Sequence, residues 1–164
     1  MVIDVASKKV TNTIDGVEGV PHNLNITPDG NTLLVTLTQN NELGVVDLDK
    51  GKMTTTITVG TGHHVVDITP DGKYAYVGNI GADFVSVVDI AKRKEMKQIN
   101  VGMGPHGTTI SKDGETVYTA VTSKDQVAVI DRKKNEVVKR VDVDSFPFFI
   151  STLEIASETK KKKE

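Results

Sequence analysis

The sequence has no cysteine and no tryptophan, and aromatic residues make up only 4% of its 164 positions. Without cysteine, the chain has no disulfides, no thiolate metal sites and no cysteine nucleophile. Its apolar runs are short, and none approaches the ~20 residues that a membrane-spanning helix requires. We also see no export leader at Met1. These features predict a chain without a membrane-spanning segment.

Basic residues are not concentrated on the body of the chain. The formal net charge is −2, and the C-terminal Lys160–Lys163 with Glu164 contributes +3, so residues 1–159 carry −5. A nucleic-acid surface needs clustered Lys and Arg beside stacking aromatics, so we expect no nucleic-acid partner. Residues 158–164 are predicted to be a solvated, disordered Lys-rich tail.

The sequence does contain an internal repeat of 42 residues. His22, His64 and His106 are spaced at that interval, and a period of this length is typical of repeat architectures. Other positions recur in the same register. They are the pairs Asp29-Gly30, Asp71-Gly72 and Asp113-Gly114, and the residues Asp47, Asp89 and Asp131.

Each repeat predicts four short strands separated by three turns. The motifs TPDG and SKDG supply an Asp-Gly hairpin, in which glycine adopts the positive φ that the turn demands. Between the turns lie runs rich in Val, Ile, Thr and Tyr, with no helical period. Four antiparallel strands in about forty residues make a propeller blade. The predicted fold class is an all-β propeller of four-stranded antiparallel blades. The chain holds about 3.5–4 blades, half of a seven- or eight-bladed ring.

The segment GPHGTTISKDGETVYTAVTSKDQVAVIDRKKNEVV (104–138), and residues 62–101 with YAYVGN at 74–79, resemble the YVTN family of β-propeller repeats. The resemblance covers roughly residues 2–148. It implies a propeller of the surface-layer or secreted type, and hence an extracellular or periplasmic location, although the lack of an export signal leaves a cytoplasmic one open. More distantly, it implies propellers with lactonase, haem d1 or multicopper redox chemistry. The absence of tryptophan separates the chain from WD40 propellers.

The repeat also predicts where blades begin and end. Residues 1–19 form the outer two strands of a partial blade, residues 20–61, 62–103 and 104–145 form three complete blades, and residues 146–157 begin another partial blade. Phe148 takes the histidine position in that last unit, and LEIA at 153–156 breaks the pattern.

An open arc of blades exposes an unpaired apolar face at each end, so a propeller must close. Two solutions remain open. Two chains could form one ring as a homodimer, with residues 147–156 of one chain supplying inner strands to the N-terminal half-blade of the other. Alternatively, the chain is a piece of a longer propeller.

The histidines are the candidate site. His22, His63, His64 and His106 precede inner strands and are predicted to ring one mouth of the central channel as ligand-binding residues. Imidazole suits transition metals, so His22, His64 and His106 are metal candidates, and a haem is the other cofactor considered. The competing interpretation is structural, since duplication alone copies one histidine three times. The recurring aspartates are expected to bond turn amides.

No set of residues marks a catalytic site, so the leading hypothesis is a non-enzymatic scaffold that binds a protein or small-molecule ligand at the channel face. The alternative is an enzyme or redox-cofactor domain that holds a metal or haem with the histidines. A lactonase-like site would also need arginine, and Arg93, Arg132 and Arg140 are predicted on outer turns or strands. A third hypothesis is an incomplete propeller with no function of its own.

Overall fold

The computed structural model describes residues 1–62 and 64–153, without the side chain of His64. The predicted Lys-rich tail (158–164) and the end of the last partial blade (154–157) lie outside the described residues, as does His63. Within the described part, no helix is long and apolar enough to cross a membrane.

Fourteen strands run through the described residues, in the order that the repeat predicts. Their bounds are β1 Val2–Asp4, β2 Lys9–Asn12, β3 Pro21–Ile26, β4 Thr32–Leu37, β5 Glu42–Asp47, β6 Lys52–Thr58, β7 His64–Ile68, β8 Tyr74–Asn79, β9 Phe84–Asp89, β10 Lys94–Asn100, β11 Pro105–Ile110, β12 Thr116–Val121, β13 Gln126–Asp131 and β14 Glu136–Asp142. A 3₁₀ turn at Thr122–Lys124 precedes β13.

The strands form three four-stranded antiparallel sheets, which we call blade 1 (β3–β6), blade 2 (β7–β10) and blade 3 (β11–β14). In each blade the strands are hydrogen-bonded in chain order. Strands β1 and β2 pair separately as a two-stranded sheet, the half-blade. The predicted all-β fold of four-stranded antiparallel blades is confirmed.

The Asp-Gly turns adopt the geometry expected from their sequence. Gly30, Gly72 and Gly114 have φ values of 78°, 68° and 73°, a region that other residues enter at a cost. In each turn the aspartate accepts a hydrogen bond from the hydroxyl two residues earlier, at 2.6 Å in all three cases. Local chemistry therefore fixes the connection between the first two strands of every blade.

The first strand of each blade lies innermost in the arc, because β7 packs against both β3 and β11. These inner strands all begin on one side of the arc, which we call the histidine face. They end at the Asp-Gly turns on the opposite side, the Asp-Gly face. The crossovers at residues 59–62 and 101–104 return the chain from the outer strand of one blade to the histidine face of the next.

The core lies between blades and not within them. Each blade has a trailing face toward the next blade and a leading face toward the previous one. Leu34, Leu43 and Ile57 on the trailing face of blade 1 pack against Val66 and Val77 on the leading face of blade 2. A second layer of the same kind joins blades 2 and 3. Burial of apolar area between blades therefore stabilises the arc.

A register irregularity recurs in the outer strand of every blade. The ladder skips Thr54 in β6, Met96 in β10 and Val138 in β14, three positions spaced by 42 residues. A bulge leaves one residue unpaired and re-aims its side chain. In blade 2 this residue is Met96, whose side chain lines a cavity described below.

Candidate functional site

The structure places His22 and His106 in β3 and β11, near the strand ends on the histidine face, as the repeat predicts. Their environments differ. The side chain of His22 is exposed, whereas that of His106 is fully buried. The backbone of His64 begins β7 between these two strands.

The buried ring of His106 packs into an aromatic cluster formed by the C-terminal segment. It stacks on Phe148 with ring centroids 3.7 Å apart and meets the edge of Phe149 at 5.1 Å. Its Nδ1 donates to the carbonyl oxygen of Phe148 at 2.8 Å. His106 therefore holds residues 148 and 149 against the inner strand of blade 3, as a structural residue does.

These contacts do not fit a metal shared by equivalent histidines, since the His106 ring is covered by aromatic side chains. Among the described residues, no group of three or more His, Asp or Glu side chains is arranged to hold a metal ion. His63 and the side chain of His64 are outside the description. The ligand-binding and metal roles predicted for the histidines stay predictions.

Asp67 connects the inner strands of all three blades. Its carboxylate accepts hydrogen bonds from the Asn25 side-chain amide in β3 at 2.8 Å and from the Ile110 backbone N–H in β11 at 2.8 Å. It also accepts from the N–H of Ile68 next to it, at 2.9 Å. Three donors occupy its oxygens, so this carboxylate stabilises the arc and has no evident chemical role.

The recurring turn aspartates also have structural roles, as expected. Asp47, Asp89 and Asp131 each accept a hydrogen bond at 2.9 Å from the backbone N–H three residues later. These bonds lower the pKa values of Asp47 and Asp89, together with hydrogen bonds from Lys50 and Lys92. Hydrogen bonding to the charged form is one of the standard causes of such a shift.

One cavity in the described part of the chain lies on the other side of the arc, at the Asp-Gly face between blades 2 and 3. We call it the Arg132 cleft, and its volume is about 500 Å³. It is lined by Tyr74, Tyr76, Met96, Gly114, Glu115, Asp131, Arg132, Lys133 and Asn135.

Arg132 is fixed across the junction of the two blades. Its Nη2 contacts the Asp71 carboxylate at 2.5 Å, and its Nη1 donates to the carbonyl oxygen of Gly114 at 3.2 Å. Its guanidinium lies 5.7 Å from the ring centroid of Tyr74, within range of a cation–π contact. The arginine therefore forms a rigid wall of the cleft.

The pKa values of two side chains, Asp71 and Tyr76, are shifted at this junction. Burial opposes ionisation of Asp71, but hydrogen bonds from Thr69 and Arg132 outweigh it and lower its pKa to about 2. Burial raises the pKa of Tyr76 to about 12, so its hydroxyl stays protonated and donates to Asn135 Oδ1 at 2.6 Å. Perturbed groups beside a cavity are common at functional sites.

Comparison with known proteins identifies the family of this chain. A family model described as YNCE-like beta-propeller matches residues 1–158. The chain belongs to this family. No curated protein sequence matches it.

Two solved structures resemble this YNCE-like propeller. Kuenenia stuttgartiensis hydrazine synthase is 32% identical with a TM-score of 0.75, and the match covers 84% of this chain and 40% of that one. Dihydro-heme d1 dehydrogenase NirN in complex with DHE is 22% identical with a TM-score of 0.63, covering 74% and 28%. The second likeness shows the fold alone. The matched region therefore covers less than half of either of those chains.

Sequence reasoning missed the Arg132 cleft, although the repeat carries its signal. Tyr74 replaces Thr32 and Thr116 of the neighbouring repeats, and Arg132 replaces Leu48 and Ile90. The equivalent cavity between blades 1 and 2 is only about 150 Å³ and includes Thr32 and Thr54. The cleft of this YNCE-like propeller is thus built where one blade pair departs from the repeat.

Changing Arg132 to isoleucine, the residue at position 90 of the previous repeat, should raise the pKa of Asp71 from about 2 toward its ordinary 3.8. Because folding lowers the pKa of Asp71, the contact with Arg132 stabilises the folded state fully above pH 3.8. This stabilisation is lost as the pH falls through about 2. A ¹³C NMR titration of the Asp71 carboxyl measures the shift. Arg140→Ile is the control, since Arg140 donates to Val101 and not to Asp71. An unchanged Asp71 titration in Arg132→Ile contradicts this assignment.

Proposed function

We propose that this chain is part of a non-enzymatic, YVTN-type propeller scaffold that binds a small organic ligand in the Arg132 cleft. The observation that supports it is the cleft itself, which is walled by a fixed arginine and lined by tyrosines found in this combination at no other blade junction of the described residues. A concave pocket with apolar surface and a few fixed polar groups is the usual form of a ligand site.

The lining favours a flat, uncharged ligand. The ring of Tyr74 and the thioether of Met96 provide apolar surface suited to stacking and sulfur–aromatic contacts. Two acidic residues, Glu115 and Asp131, line the cleft beside Arg132 and Lys133, and Arg132 is already paired with Asp71, so the lining has no excess of positive charge to select an anion. Asn135 lines the cleft and accepts from Tyr76 through its Oδ1, so the other polar group of its side chain is a donor, which suits a ligand oxygen or ring nitrogen.

Methionine methyl NMR can distinguish this cleft from the histidine face. The chain has four methionines. Met96 lines the cleft, Met103 lies in the crossover on the histidine face, and both side chains are 51% exposed. With [¹³C-methyl]methionine protein and indole as the neutral probe, we expect the Met96 signal to shift and the Met103 signal to stay.

The matched variant is Tyr74→Thr, which restores the residue of the neighbouring repeats and should abolish the Met96 shift. Indole-3-acetate is the anionic comparison and should bind no better than indole. A response at Met103 without one at Met96, or no response to millimolar indole, overturns the proposal.

The second candidate is an enzyme or redox-cofactor domain working from the histidine face. It is supported by the similarity of the chain to part of a hydrazine synthase, which is an enzyme, and by the exposure of His22 on that face. Titration with haem tests it. Broadening of the Met103 signal together with a visible absorbance shift that His22→Ala removes would favour this candidate over the scaffold.

A further inference from the structure

The geometry points to Met96 as a site of oxidation by hydroperoxides, whose sulfoxide is held by the Arg132 guanidinium and closes the Arg132 cleft. The inference deepens the proposed function and rests on it, since closure of the cleft matters where a ligand binds. Its first claim, the contact between the sulfoxide and Arg132, can be tested without any ligand.

A sulfur atom is placed in the cleft by a departure from the repeat. Met96 stands at the bulge of blade 2, where the equivalent residues of blades 1 and 3 are Thr54 and Val138. With no cysteine or tryptophan in the chain, methionine is the side chain that a hydroperoxide readily oxidises. Met96 lines the cleft itself. The oxidisable group therefore lies at the blade junction where the cleft has formed.

The outer strand of blade 2 presents Met96 to a turn of blade 3. The next residue, Lys97, reaches across the junction, and its Nζ donates to the carbonyl oxygen of Lys134 at 3.4 Å. Arg132, near the start of that turn, lines the cleft together with Met96. Its bonds to Asp71 and Gly114 use two of its five N–H donors. Another of these donors can therefore bond to an oxygen carried by the Met96 sulfur.

The reaction transfers one oxygen atom from the hydroperoxide to Met96. The sulfur attacks the terminal oxygen of ROOH, and the S–O bond forms as the O–O bond breaks. The proton of the attacked oxygen moves to the leaving one, which departs as the alcohol ROH, or as water when the oxidant is hydrogen peroxide. Sulfur gives up two electrons and the peroxide accepts them. A flexible apolar side chain thus becomes a polar, chiral hydrogen-bond acceptor.

Exposure and position separate the methionines. Met96 and Met103 are both 51% exposed, but Met103 lies on the histidine face, on the opposite side of the arc from the cleft. Met53 is partly buried against the core, where its Sδ lies 2.8 Å from the position of a Cβ built on Gly44. Hydrogen peroxide should therefore oxidise Met96 and Met103 at similar rates and Met53 more slowly. Of these three sulfoxides, that of Met96 lies in the cleft.

Titration of the ligand-free protein with hydrogen peroxide tests the first claim. The methionine methyl signals show which sulfur is oxidised, and the Nε–H signal of Arg132 reports its contact with the sulfoxide. We expect the Arg132 signal to shift as reduced Met96 disappears, and to return after treatment with the two methionine sulfoxide reductases, one for each epimer. Met96→Leu keeps an apolar side chain without sulfur and should show no shift. An unchanged Arg132 signal, or an equal shift in Met96→Leu, overturns the inference.

Indole tests the second claim, and because the chain has no tryptophan, indole fluorescence reports binding in every variant. Oxidised wild-type protein should bind indole about ten-fold more weakly than the reduced protein, because the sulfoxide replaces a sulfur–aromatic contact. Met103→Leu should lose the same affinity on oxidation, whereas Met96→Leu should keep its affinity. Met96→Gln carries a polar side chain of similar length and should bind weakly without any peroxide.

The two experiments separate failure of the inference from failure of the proposed function. If the reduced protein binds no indole, the proposed function is wrong, and the Arg132 signal alone decides the inference. If indole binds equally well before and after oxidation of Met96, the inference is wrong and the proposed function stands. Peroxide sensitivity that persists in Met96→Leu assigns the effect to another residue and also contradicts the inference.

Discussion

Gly78→Ala is expected to destabilise the fold by about 3 kcal/mol, at the upper end of the usual cost of overpacking a core. Gly78 lies in β8, where the inner strand of blade 3 approaches most closely. A Cβ built on Gly78 would lie 2.3 Å from the backbone oxygen of His106 and 2.6 Å from Thr108 Oγ1. Since one of these atoms is backbone, relief requires blades 2 and 3 to move apart.

Gly44→Ala is the matched control within the chain. Gly44 also lies inside a buried strand, but the atoms nearest to its Cβ position are side-chain ends, Met53 Sδ at 2.8 Å and Val35 Cγ1 at 2.9 Å. The flexible Met53 side chain can rotate away, Val35 is stiffer and must shift slightly, and alanine is favoured over glycine within a strand by roughly 0.5–1 kcal/mol. Thermal unfolding followed by circular dichroism should show Gly78→Ala lower in Tm by roughly 6–12 °C and Gly44→Ala changed far less. Equal losses in the two variants would show that the contact across blades is not the cause.

Tyr76→Ala is expected to cost about 4 kcal/mol, in the range measured when a large buried aromatic residue is truncated. Tyr76 is the largest of the fully buried side chains and belongs to the core between blades 2 and 3. Its hydroxyl also bonds to Asn135 across that junction, so the variant loses both apolar packing and a polar link.

Two further substitutions separate these contributions. Tyr76→Phe removes only the hydroxyl and should cost about 1 kcal/mol, the usual net value of a hydrogen bond. Tyr76→Leu introduces the residue at the equivalent position of blade 1, Leu34, and should cost less than alanine because it refills part of the cavity. Urea denaturation gives the three free energies. If alanine and phenylalanine destabilise equally, packing of the ring contributes nothing and the prediction is wrong.

The blade architecture could be predicted from sequence because it depends on local chemistry repeated three times. The Asp-Gly turns at residues 29–30, 71–72 and 113–114 fix each hairpin, and the runs between them pair with the strand that follows in the chain. A strand that is assigned wrongly in one repeat can be corrected from the other two repeats, since all three share the same register. The roles of Asp47 and Asp89 in their turns followed from the same local rules.

The environment of the histidines was harder to predict, because the repeat indicates the position of a residue in the blade but not which side chains pack over it. His22 and His106 occupy equivalent positions, yet one is exposed and the other is buried beneath Phe148. The difference comes from the neighbouring unit. The segment that follows blade 3 brings Phe148 against His106, whereas the residue 42 positions after His22 is His64 of blade 2.

By itself, the sequence determined the period, the strand count in each blade and the chemistry of the turns, all of which are set by residues close together in the chain. The tertiary structure alone decided where the Arg132 cleft, the proposed ligand site, forms. Arg132 and Asp71 are 61 residues apart and meet only because blade 3 packs against blade 2. The cleft between them is a property of the angle and spacing of two sheets, and no local pattern encodes either.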